Sequence, residues 1–184
     1  MYKILIIFFI INFYTSALSS TKEKVISQMH LTNNFSFNFI QKIEDKSENG
    51  KCVIRYPKKI YCQYDGLNKK IIVSNGRSLV IKIANKENYY IYPLKKTPLE
   101  FLLDRNYLVS KIKYLEPKII DNKFLAFSIF GNNNNEIKIF FNKDSLILTG
   151  WQTEDIYQNL SITFISSVEI NQEIDDRIFL LPKK

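Results

Sequence analysis

Residues 35–64 read FSFNFIQKIEDKSENGKCVIRYPKKIYCQY. Apolar and polar side chains alternate there with the period of two that an extended strand converts into two faces. Phe35, Phe37 and Phe39 fall on one face, with Ser36 and Asn38 on the other. Glu48-Asn49-Gly50 predicts a turn. Beyond it Cys52, Ile54 and Tyr56 share a face, and after the break at Pro57 so do Ile60, Cys62 and Tyr64. Three successive strands that aim aromatic and aliphatic groups the same way predict a concave apolar sheet. Such a face must be buried against a second layer, a helix or a ligand.

The chain opens with a short basic start, Met1-Tyr2-Lys3. Ile4 to Tyr14 follows, apolar except for Asn12, and then small residues stand at cleavage spacing through Ser19. This pattern predicts a secretory signal peptide over 1–19, with an uncleaved N-terminal anchor as the alternative. No cysteine directly follows the apolar run, so no lipid anchor is expected. No later segment reaches the length needed to span a bilayer. The product is expected in a periplasm or outside the cell, as one domain over 20–184 large enough for a real core.

The formal charge is +8, and cleavage near Ser19 would remove one of its lysines, Lys3. The lysines are scattered, and there is neither an arginine-rich stripe nor a recognised motif, which argues against nucleic acid as a partner. Two cysteines, Cys52 and Cys62, lie on the inward-reading face. If the chain folds back through Tyr56-Pro57-Lys58 they sit opposite one another, and an oxidising compartment would join them. If the strand runs straight through, they are two buried thiols. Neither spacing resembles a zinc site, which needs four ligands. No metal and no cofactor is expected.

Along the rest of the chain, Thr21 caps a helix over 22–31 with Val25, Ile26 and Met29 as its apolar stripe. Strands are expected over 70–74, 77–84 and 89–92, with Asn75-Gly76 as a two-residue hairpin turn. Thr97-Pro98-Leu99-Glu100 reads as the capped start of a second helix ending near Asn106, with Leu99, Leu102 and Leu103 as its apolar face. A further short turn is expected over 108–111. Strands resume over 112–116, 123–130, 136–141, 146–153 and 160–170, and residues 174–182 could add an edge strand. The fold class is mainly β, with about 10–11 antiparallel strands and two amphipathic helices.

Catalytic chemistry finds little support. No nucleophile elbow, metal motif or phosphate loop is present. His30 is the one histidine, and a lone histidine without an orienting partner rarely carries catalysis. Glu154-Asp155 and Asp175-Asp176 fall in expected turns, where sequence neighbours do not converge on a substrate. No catalytic residue is assigned, and the chain is not read as an enzyme.

Several segments together resemble the outer-membrane lipoprotein carrier family, LolA. They are the export signal followed by a helix and Phe39-Ile40-Gln41; residues 50–57 ending in Tyr56-Pro57; Val73 to Leu79 (VSNGRSL); Pro93-Leu94 with Lys96 to Leu99 opening a helix that holds Leu102-Leu103; and residues 174–182, ending in Leu181-Pro182. The resemblance implies a half-open antiparallel β-barrel whose concave apolar face is covered by amphipathic helices. It further implies a monomeric periplasmic carrier of acylated lipoproteins. The carrier would be loaded by an inner-membrane lipoprotein-releasing ABC transporter and would deliver to an outer-membrane receptor or the outer membrane itself. On this reading Phe35, Phe37, Phe39, Ile54, Tyr56, Ile60, Tyr64, Leu79 and Ile81 bind lipid, and Leu99, Leu102 and Leu103 form the lid.

One position departs from the family pattern. The family has Arg directly before the Pro, holding the lid; here Tyr56 stands there and Arg55 comes one residue earlier. A shift of one residue along a strand reverses the face. Arg55 is therefore expected to point outward, with Tyr56 hydrogen-bonding a lid carbonyl and the lid held by packing more than by charge. A carrier of another lipid, such as a phospholipid or glycolipid, and a protein-binding or sensor module are the alternatives on the same fold.

Overall fold

Alternate burial runs along three long hairpin-linked strands, β1 (Asn34–Ile43), β2 (Lys46–Arg55) and β3 (Lys59–Tyr64). Phe35, Phe37, Phe39, Cys52, Ile54, Ile60, Cys62 and Tyr64 are all buried on one face. The computed structural model describes residues 21–67, 69–83, 89–131, 136–154 and 159–182. The expected signal peptide over 1–19, Asn68, and the stretches 84–88, 132–135 and 155–158 lie outside the described residues.

From β3 the chain continues as a meander through β4 (Ile71–Asn75), β5 (Ser78–Lys82) and β6 (Tyr89–Pro93) to one edge of the sheet. A 3-10 turn at Leu94–Lys96 and two helices, α2 (Leu99–Leu102) and α3 (Arg105–Ile112), then lead to the opposite edge. There β7 (Lys118–Ile120) begins a second meander through β8 (Phe124–Phe130), β9 (Glu136–Asn142) and β10 (Leu148–Glu154). It ends at β11 (Leu160–Ile170), which pairs antiparallel with β1. The eleven strands form one antiparallel sheet in the order β6-β5-β4-β3-β2-β1-β11-β10-β9-β8-β7, with its two edges unpaired. The barrel is open, as expected. The helix over residues 21–31, α1, joins α2 and α3 in filling the concave side, with Val25, Leu102, Leu103, Leu108 and Ile112 almost fully buried. Each such side chain contributes about 1.5–3 kcal/mol of apolar burial.

Several local expectations are corrected. The β1–β2 turn is at Glu44-Asp45, and Glu48-Asn49-Gly50 lies inside β2. Gly50 serves close approach: a Cβ there would stand 2.1 Å from the Gln63 carbonyl oxygen and 2.9 Å from a Phe39 ring carbon. Its absence lets Phe39 and Tyr64 meet edge to face, 4.8 Å apart. Asn75 ends β4, and its side-chain oxygen accepts from the Arg77 and Ser78 amides to brace the turn at Gly76-Arg77.

The second helix is split. The Thr97 hydroxyl donates back to the Leu94 carbonyl and Glu100 pairs with Lys58, so no capping box forms. α2 lasts one turn. Asp104 then leaves the helical region, and its carboxylate accepts from the Tyr107 amide to start α3. Ile112, read as the first residue of a strand over 112–116, ends α3, because Leu108 and Ile112 are buried together at helical spacing. The tail is no edge strand either. A 3-10 turn at Asp176–Phe179 packs on β3 and β4, with Phe179 buried and the Lys59 ammonium 5.7 Å from its ring centre.

Candidate functional site

The concave face holds two cavities of unequal size. The smaller, about 40 Å³, lies where the cover meets the sheet, between Met29 of α1, Leu102 and Leu108 of the crossover, and Phe35, Tyr56 and Phe141 of the sheet side. The larger, about 450 Å³, lies beside the cover toward β3–β5. That is within the range of small-ligand pockets. Ile60, Ile72, Leu79, Ile81 and Leu99 make its apolar wall, with Trp151 and Phe39 opposite and Lys70, Lys96 and Glu154 also on its lining.

The residues assigned to lipid binding divide between these spaces. Phe39, Ile60, Tyr64, Leu79 and Ile81 line the larger cavity, as does Leu99 of the lid. Phe35 and Tyr56 line the smaller one with Leu102. Phe37, Ile54 and Leu103 are buried and line neither; Phe37 is packed between Phe35 and Trp151 at 5.4 and 6.0 Å. Cys52 and Cys62 face each other across β2 and β3 and are joined as a disulfide on the wall of the larger cavity.

Sequence reasoning missed Trp151, Ile72, Tyr92 and a group of polar residues on the wall, Gln41, Thr153, Ser161 and Thr163. Gln41 was the one with a signal, standing in the Phe39-Ile40-Gln41 segment. The Tyr64 hydroxyl donates to Gln41 Oε1 at 3.0 Å, and Gln41 Nε2 donates to the hydroxyls of Ser161 and Thr163 at 3.2 and 3.4 Å. Burial, with the Glu48 carboxylate adding to it, pushes the Tyr64 hydroxyl well above its ordinary pKa, so it stays a neutral donor.

Charged groups add to the packing that holds the cover. Arg105, the first residue of α3, donates from Nη1 to the carbonyls of His30 and Thr32 at 3.2 and 2.7 Å and to Asn33 Oδ1 at 3.4 Å. It stands at the C-terminal end of α1, where free carbonyls favour a cation. Its guanidinium is 5.7 Å from the Tyr56 ring centre. Burial raises the Tyr56 pKa, with Arg105 opposing, so Tyr56 too remains neutral. Tyr56 itself meets the segment after α1 through its amide, which donates to the Asn33 carbonyl at 2.9 Å.

Lys58, on the β2–β3 turn, holds the other end of the cover. Its amide donates to the Leu103 carbonyl at 2.7 Å, and its ammonium is 3.3 Å from both Glu100 and Asp104. Burial lowers the Lys58 pKa, but bonding to these two carboxylates outweighs it and the net shift is upward. Arg55 does point outward and pairs with Asp176 of the tail, whose carboxyl it holds below the ordinary range.

A family model described as outer membrane lipoprotein carrier protein LolA matches residues 30–181. The chain belongs to the LolA family. Among solved structures, a LolA superfamily protein from Nitrosomonas europaea is similar at 10% identity with a TM-score of 0.50, over 89% of this chain and 97% of that one. An uncharacterized conserved protein from Thermus thermophilus is similar at 5% identity with a TM-score of 0.52, over 88% and 93%. At such identities the likeness is one of fold. A comparison with curated proteins gave no match. No helix among the described residues is long and apolar enough to cross a membrane.

Proposed function

We propose that this LolA-family protein is a non-enzymatic periplasmic carrier. It binds the acyl chains of lipoproteins in the larger cavity and moves them from the inner membrane to the outer membrane. Residues 1–19 would direct export and residues 20–184 would form the carrier. A lipoprotein-releasing ABC transporter would load it, and an outer-membrane receptor or the membrane itself would receive the cargo. The observation that carries this reading is the 450 Å³ space with its apolar wall of Ile60, Ile72, Leu79, Ile81 and Leu99, left beside a cover that fills the rest of the trough.

Transfer of each methylene from water into such a space is worth about 0.8 kcal/mol. A chain too long for the open space must displace the cover, starting with Leu99, which lines both wall and lid. Breaking the contacts of Lys58 and Arg105 with the cover offsets part of that gain. The cargo is then held by the difference between two large terms, which is what a carrier that must also release requires. Leu99, Leu102 and Leu103 act as the lid in this scheme.

Native mass spectrometry of the protein purified from its own periplasm tests the proposal. An acylated lipoprotein in the bound fraction supports it. Free phospholipid or glycolipid would redirect the reading to another cargo, and a cavity consistently empty and unable to exchange added acyl ligands would overturn it.

A further inference from the structure

The wall of the larger cavity is chemically divided. One side, from β3, β4, β5 and α2, offers Ile60, Ile72, Leu79 and Leu99. The other, from β1, β10 and β11, sets Gln41, Thr153, Ser161 and Thr163 beside Phe39 and Trp151, with the Tyr64 hydroxyl reaching across to join the polar group. An all-apolar cargo would gain nothing from that second wall and would strip water from it at a cost.

The hydrogen bonding there has a direction. Gln41 accepts from Tyr64 and gives both of its amide hydrogens, one toward Ser161 and one toward Thr163. Its two amide hydrogens are thereby used, and its side chain is tied to β3 and β11. Ser161 and Thr163 each receive from Gln41, so each keeps its O–H to donate, beside one remaining acceptor lone pair. Both are buried, at 8% and 3% exposure. In register, Thr163 lies beside Gln41 on one strand and Trp151 on the other, and Ser161 lies beside Thr153. The site therefore presents hydroxyl donors in pairs, across an apolar gap from aliphatic side chains. The complement is a ligand with carbonyl oxygens at the head of a hydrocarbon chain.

We infer that the wall formed by Gln41, Ser161 and Thr163 recognises the ester or amide carbonyls of an acylated ligand and orients its chains against Ile60, Leu79 and Leu99. Gln41 is the positioning residue and the two hydroxyls are the contacts. This inference rests on the carrier reading and adds to it a preference among amphiphiles that burial of methylenes alone does not produce. The polar wall selects for acyl chains over alkyl chains.

The test compares dipalmitoylglycerol with its dialkyl-ether counterpart of equal chain length, each displacing a fluorescent apolar probe from the full mature chain. Two neutral hydrogen bonds predict that the ester displaces at about tenfold lower concentration than the ether. The double variant Ser161→Ala, Thr163→Val is expected to lose that preference, ester and ether then displacing the probe at the same concentration. Equal displacement by ester and ether from the unaltered protein overturns the inference and leaves the carrier reading standing, and needs no variant to fold. Equal loss of both ligands in the variant also overturns it, by showing the hydroxyls to be structural. Displacement by neither ligand overturns the inference and the carrier reading together.

Discussion

Beneath α2 and α3 the trough encloses a space of about 40 Å³; beside them the same sheet surrounds about 450 Å³. Both halves are floored by strands whose inward side chains come at every second position, mostly apolar, with Gln41, Thr153, Ser161 and Thr163 as polar inward positions in the open half. What separates them is what stands overhead. Over the first half Leu102, Leu103, Leu108 and Ile112 descend from the crossover and are buried almost completely. Over the second, the crossover lends only its first part, Lys96 to Leu99, to the lining. The filled half is held by packing together with the bonds of Arg105 and Lys58 to the cover, whereas the open half carries the Cys52–Cys62 disulfide on its wall. One face of one sheet is thus filled core at one end and the wall of an open space at the other.

The contrast breaks most readily in the filled half. Leu103→Ala is expected to lower unfolding free energy by about 3 kcal/mol, because a fully buried leucine leaves a cavity that the helices cannot close. Leu79→Ala faces space that already exists and should cost well under half as much; equal losses in a denaturant titration would erase the distinction between the halves. The next effect is on the staple. Replacing Cys52 and Cys62 together by Ala should cost about 3 kcal/mol in the chain-entropy model for so short a loop, with calorimetry as the measure. A negligible change would mean that the open half is held by its strands alone.

Arg105→Ala should follow, at about 2 kcal/mol for charge-assisted bonds to the end of α1, together with faster uptake of an apolar dye. Unchanged dye uptake in Arg105→Ala would remove this residue from the account of the cover. The smallest effect belongs to Lys58→Met, expected within about 1 kcal/mol because the ion pairs with Glu100 and Asp104 are partly exposed. The folded protein raises the Lys58 pKa above its ordinary 10.5. Its contribution is therefore complete below pH 10.5 and is lost as pH rises through the higher, folded value. A difference between Lys58→Met and the unaltered protein that vanished already at neutral pH would contradict that assignment.

The strands of the sheet were readable because alternation is local. Phe35, Phe37 and Phe39 declare their face without reference to anything distant. The aromatic face and the outward direction of Arg55 follow from a period of two, whereas the pairing of Cys52 with Cys62 also needed the chain to fold back at Pro57, which alternation does not decide. Gly50 was misread because Asn-Gly marks turns so often, while its role here is set by Phe39 and Tyr64 folding over it from neighbouring strands. α3 was hidden because Ile112-Lys113-Tyr114-Leu115 also alternates; the helical reading wins only once Leu108 and Ile112 have a trough to enter. The division of the site into filled and open halves has no local signal, since it depends on where the crossover passes. Arg105 escaped for the same reason: nothing near it in sequence reveals that the end of α1 lies within reach.

The crossover has one more consequence. Residues 94–117 are the sole covalent link between β6 and β7, the two unpaired edges of the sheet. The segment that covers the trough is also a strap tied to both of its rims. Lifting α2 and α3 therefore slackens or tightens that strap, and the spacing of the rims follows. Under the proposed carrier scheme, uncovering the trough and changing its width would be a single mechanical act, because the cover and the two rims share one segment of chain.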